Sequence, residues 1–153
     1  HVDEHLLDVE PRIIDQVPVL GGEKAVHIVP DRFAFPETTP FPCVGLKDGP
    51  MQQHYYLGMA RQKADLEVEI ICCVQIKQYS AAIVGKGLSL GILDLVDLVR
   101  PALEWWAPAG YKWVQSNGNV DESASQAVNV TNDAGETQKL VQMKWFSMGW
   151  VRG

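Results

Sequence analysis

The chain has 153 residues, 46% of them hydrophobic and 21% charged, with a formal net charge of −6. That length can bury a core without staples, so the default organisation is one domain over residues 1–153. The acid excess argues against a nucleic-acid clamp, which needs clustered Lys and Arg, and no apolar run reaches the roughly 18 residues of a membrane span or reads as a signal peptide.

Residues 3–17, DEHLLDVEPRIIDQV, predict a helix with Leu6, Leu7, Ile13, Ile14 and Val17 on one face. Pro11 suits a first turn, so the helix is expected either to start near it or to kink there. Gly21 and Gly22 end the segment, and KAVHIVP (24–30) reads as a short strand. A proline-rich stretch follows, with four prolines between residues 30 and 42 (Pro30, Pro36, Pro40 and Pro42) and a fifth at Pro50. Each proline removes a donor and restricts its predecessor, so the stretch predicts an extended arm with FPCVGLKD as a strand within it. Phe33, Phe35 and Phe41 are too apolar for a disordered linker; they either tuck under the domain or dock on a neighbour. The arm and loop together span residues 30–63, with a short strand and a turn expected around Tyr55 and Tyr56.

ADLEVEIICCVQIKQYS (64–80) alternates: Leu66, Val68, Ile70, Cys72, Val74 and Ile76 fall on every second position. This predicts a strand of about 13 residues, long for a small domain, with one face in a core and the other toward water or a partner. Residues 81–87 are expected to turn into a second helix, whose apolar stripe is Leu88, Ile92, Leu95, Val96, Val99, Leu103 and Trp106. Pro101 predicts a kink or break near Asp97 and Leu98. The remainder reads as β: a strand at 111–116, a turn at Asn117–Gly118, and two strands joined by a turn at 132–135. Helix, strands, helix, strands is the pattern of an α+β domain. The expected architecture has helices packed on one face of a mainly antiparallel or mixed sheet, with an extended arm and a C-terminal β-hairpin.

Chemistry is sparse. His1, His5, His27 and His54 are scattered and lack a ligand motif, and Gly85-Lys86-Gly87 lacks the spacing and hydroxyl of a phosphate loop. No cofactor, metal or catalytic constellation is indicated. The three cysteines read as small buried hydrophobes of a reducing compartment, and adjacent Cys72 and Cys73 point to opposite faces of a strand. A small hydrolase is the alternative, using Cys43 with His54 as its base, or Glu67 and Glu69 as paired acids. Five tryptophans, concentrated in the last third, serve either a Trp-rich core or half-exposed interface anchors.

Six features occur in this order: a leading amphipathic helix, a short strand, a Pro-rich stretch entering another strand, a long alternating strand, the helix LGILDLVDLVRPALEWW, and a closing β-hairpin. In this the chain resembles the tail terminator (tail completion) proteins of long-tailed bacteriophages and related head–tail neck proteins. The resemblance covers nearly the whole chain and rests on element order and texture. It implies a non-enzymatic virion subunit, assembled in the host cytoplasm, that forms a ring of six copies at the tail–neck junction. Such a ring stops tube growth and joins the tail to the neck or connector. Its implied partners are copies of itself, the tail tube protein and a neck or connector protein, with DNA passing through unbound. Phe33, Phe35, Phe41, Tyr55, Tyr56, Trp145 and Trp150 are then expected as contacts, and Glu67 and Glu69 as lumen-facing acids that repel phosphates. Another neck component, a stopper or connector adaptor, is the nearest variant of this expectation.

Overall fold

Fifteen residues, Val2–Gln16, form helix α1 in the computed structural model, which describes residues 2–36, 38–48, 53–55, 61–63, 66–87, 89–113, 123–131 and 138–152. Pro11 neither starts nor ends this helix. Val9, Ile13 and Val17, four residues apart, are all buried. Three such side chains contribute about 1.5–3 kcal/mol each, against about 3 kcal/mol for a proline in a helix interior, so burial wins. The expected apolar face is correspondingly shifted, and Leu7 is 59% exposed.

After two single turns, at Pro18–Leu20 and Glu23–Ala25, the chain enters strand β1 (Val26–Ile28) and then, past the Pro-rich arm, β2 (Cys43–Asp48). A small antiparallel ribbon follows, β3 (Gln53–Tyr55) with β4 (Arg61–Lys63), and then β5 (Leu66–Gln75). The alternating strand is thus ten residues long, because Tyr79–Val84 coils into a short helix, α2. Gly91 lets α2 pass close to helix α3 (Ile92–Leu103): a methyl on it would collide with the Gly85 nitrogen, and its own N–H donates to Asp94 Oδ2 at 3.2 Å. Pro101 lies inside α3 without a break at Asp97, again because the buried stripe Ile92, Leu95, Val96, Val99 and Leu103 holds the helix to the sheet. Leu88 and the turns expected at 117–118 and 132–135 fall outside the described residues. Strands β6 (Tyr111–Trp113), β7 (Gln126–Thr131) and the fifteen-residue β8 (Gln138–Arg152) complete the chain.

The fold is α+β, with a mixed, curled sheet in the order β1-β2-β5-β8-β6, and with β7 also paired to β8. Only β1 and β2 run parallel; the other pairs are antiparallel. Strand β5 pairs with β8 from Leu66↔Trp150 to Gln75↔Val141, so β7 and β6 share the opposite edge of β8. Directly opposed residues share a face. One face therefore carries Leu66, Val68, Ile70, Phe146 and Trp150, and α1 and α3 cover it. The other carries Glu67, Glu69, Ile71, Cys73, Met143 and Trp145.

That second face was expected to meet water or a partner, and it does neither: every residue from Leu66 to Val74 is buried. The Pro-rich arm folds back across it. Phe35 N–H donates to the Thr131 carbonyl at 2.9 Å and Thr131 N–H donates to the Phe33 carbonyl at 2.7 Å, which ties the arm to β7. Gly45 makes room for this cover, since a methyl there would stand 2.9 Å from Phe35 Cζ. Phe35→Ala empties a fully covered site and should lower unfolding free energy in urea by about 3–5 kcal/mol. A loss under about 1 kcal/mol would show that the arm is not part of the core.

Candidate contact surface

Glu67 and Glu69 are not on a surface. They are 0% and 3% exposed, on the arm-covered face of β5. Arg32, carried by the arm, bonds the Glu69 carboxylate through Nε and again through Nη2 at 3.2 Å, while its guanidinium lies 4.3 Å from the centre of the Trp145 ring. The alternating pattern was right about the strand and wrong about what faces its acids, because a cation far along the chain folds over them. These carboxylates line no lumen in this fold. Trp145 is half-buried beneath Arg32, with its backbone bonded to Ser123.

The other expected contacts divide. Phe35 and Trp150 are spent inside the subunit, at 2% and 0% exposure, and offer no area to a partner. Trp150 Nε1 donates to the Trp106 carbonyl at 2.7 Å, and the two indoles meet edge to face with centroids 6.0 Å apart. Phe33 remains 39% exposed. Phe41 is half-buried under Lys139, whose Nζ sits 5.4 Å from its ring centre. Tyr55 lies in β3 with its side chain outside what is described, and Tyr56 lies outside the described residues.

The hydrolase groupings find no open site among the described residues, and the side chain of His54 lies outside what is described. Cys43 is fully buried in β2, directly opposite Cys73 on β5, and burial together with the neighbouring thiol pushes Cys73 up from its ordinary pKa. At 0% exposure, neither thiol is within reach of a substrate. Glu69 is neutralised by Arg32, and both glutamates are sealed from water. Among the described residues, no group of His, Cys, Asp and Glu is arranged to hold a metal ion.

Two surface features went unread in the sequence. The first is Trp105, which is 74% exposed and has φ of 64°, the left-handed region that bulky residues avoid. It leans on Trp113 with centroids 4.4 Å apart, just past the end of α3. The Trp105-Trp106 doublet carried the signal: the carbonyl and ring of the partly buried Trp106 serve Trp150, so its neighbour is turned outward. The second is a cleft of about 490 Å³ where β5 ends, walled by α2 and by Phe41 and Pro42 of the arm. Its volume is in the range of ligand-accepting pockets. Lys77 and Lys86 stand on its lining, together with Gln75 and Gln78.

Compared with protein-family models and with curated proteins, the chain matches none. Two outcomes test the site as described. Arg32→Leu strands the buried Glu69 carboxylate and should cost about 2–3 kcal/mol, at the low end for a broken buried pair because the arginine is partly solvated, with most of it recovered in Arg32→Leu/Glu69→Leu. Trp105→Gly and Trp105→Ala both remove the indole, but only alanine keeps the left-handed cost, so the glycine variant should be the more stable by about 1 kcal/mol in chemical denaturation. The reverse order would mean that the backbone at Trp105 is unstrained.

Proposed function

We propose that this chain is a structural virion subunit of the tail terminator type, which assembles as a ring at the head-proximal end of a phage tail tube. The ring stops tube growth and presents a surface to the neck or connector. The observation that carries this reading is the order of elements: α1, β1, a Pro-rich stretch into β2, the long β5, α3 and the closing β7–β8 hairpin. It is the succession on which the resemblance to that family rests.

The physical features agree with an assembling subunit. Phe35 and Arg32 of the arm and both faces of β5 are consumed within the subunit, so contacts come from what is left outside. What is left includes a strained, exposed tryptophan and a cleft of mixed polar and apolar lining, and the β3–β4 ribbon is a sheet separate from the main one among the described strands. A two-stranded ribbon is at best marginally stable by itself in water, and a neighbour's surface is one source of support. The proposed indifference to DNA rests on the net charge of −6 and on exposed acids such as Asp8, Asp15, Asp31 and Asp97. A surface of that sign repels phosphates as a genome moves past.

The test is sedimentation velocity and native mass spectrometry of the chain alone and with polymerised tail tube protein. A closed ring that caps tubes at one end and blocks further subunit addition is the expected result. A monomer that joins neither tube nor neck, or a protein that binds the neck without limiting tube length, overturns the terminator reading.

A further inference from the structure

The two unassigned surface features stand at opposite poles of the subunit. The cleft is lined by Val74 and Gln75, at the end of β5, and by Ser89 and Leu90, just before α3. Trp105 lies beyond the other end of α3, about 18 Å away along a helix of this length. Its support, Trp113, pairs with Trp150, which pairs with Leu66 at the start of β5. The nine residue steps from Leu66 to Gln75 span about 30 Å of strand. Both measures separate knob from cleft along the same axis.

Resting on the ring reading above, we propose that Trp105 of one copy enters the Phe41–Ala82 cleft of the next, a head-to-tail contact that generates the ring. The cleft offers an apolar floor from Phe41, Val74 and Ala82, and the side-chain carbonyls of Gln75 and Gln78 as acceptors for an indole N–H. Charge complements shape. Lys77 and Lys86 line the cleft and no carboxylate does among the described residues, whereas Glu104, which also bridges Arg100 of its own subunit at 3.8 Å, adjoins Trp105 with a partly exposed carboxylate. Lys112 projects from the side of β6 opposite Trp113, since neighbours on a strand alternate. The left-handed backbone at Trp105 holds a large apolar group in water at a conformational cost, and such costs concentrate where a partner is engaged. A contact between two different patches repeats from copy to copy, and a suitable rotation closes it into a ring.

A charge-reversal mixing experiment tests this contact. Glu104→Lys makes knob and cleft both basic; Lys77→Glu/Lys86→Glu makes both acidic. All these positions are at or near the surface, and the partly exposed Arg100–Glu104 pair that Glu104→Lys breaks contributes little to stability, so folding, checked by circular dichroism, is expected to be unchanged. Each variant alone should associate at least about thirtyfold more weakly than wild type in sedimentation velocity with polymerised tube protein present, as loss of an interface hot spot does. An equimolar mixture should restore rings of alternating subunits. Trp105→Gly should weaken association similarly and be rescued by neither partner. Rings that form from every variant alone, or a mixture that fails to restore what the singles lost, overturn the knob-and-cleft contact and leave the ring reading standing. A wild type that stays monomeric even with tube protein overturns both.

Discussion

The subunit depends on one constraint: β5 is buried on both faces while carrying two carboxylates. A strand between β2 and β8 must have each side covered, and helices α1 and α3 can cover only one. The Pro-rich arm covers the other. Its stiffness is what makes it a cover, because prolines restrict the chain before docking and reduce the entropy lost on ordering it. Phe35 supplies the apolar contact and Arg32 the counter-charge, so the arm satisfies both the hydrophobic and the ionic character of the face it meets.

This economy redistributes the contact capacity of the surface. A strand face and an aromatic arm are natural candidates for docking on neighbours, and here both are used internally. At the poles stand two unassigned features: an indole held in a left-handed turn at one end of α3, and a cleft of mixed lining with two lysines at the other. The indole stands outside the core and carries a backbone cost, while the cleft exposes the rim of the core at Phe41, Val74 and Ala82. A subunit built this way keeps its interior closed and meets others end to end.

Local chemistry explains most of what could be read from the chain. Alternation set β5, the 3.6-residue stripe set α3, and the run of prolines set an irregular arm; these signals depend on neighbours within a few positions. Neither helix proline starts or breaks its helix, for the opposite reason. Val9 and Ile13 in α1 with Val17 just past its end, and the Ile92-to-Leu103 stripe in α3, stabilise those helices through contacts with strands distant in the sequence. Propensity saw the lost hydrogen bond and not the burial that outweighs it. Strand β5 also came out shorter than its pattern, because residues after Gln75 enter α2.

The sequence by itself determined the α+β class, the order of elements, and the absence of motif-level chemistry, since each follows from composition and short-range spacing. Only the tertiary structure decided which aromatics are spent and which are free, that Arg32 crosses thirty-seven residues of chain to reach Glu69, and that Cys43 is sealed opposite Cys73. Side-chain fate at those positions is set by what the rest of the chain brings over them. No local pattern encodes the curl of a sheet or the path of an arm across it, and that path is what moved the candidate contacts from the strand to the poles.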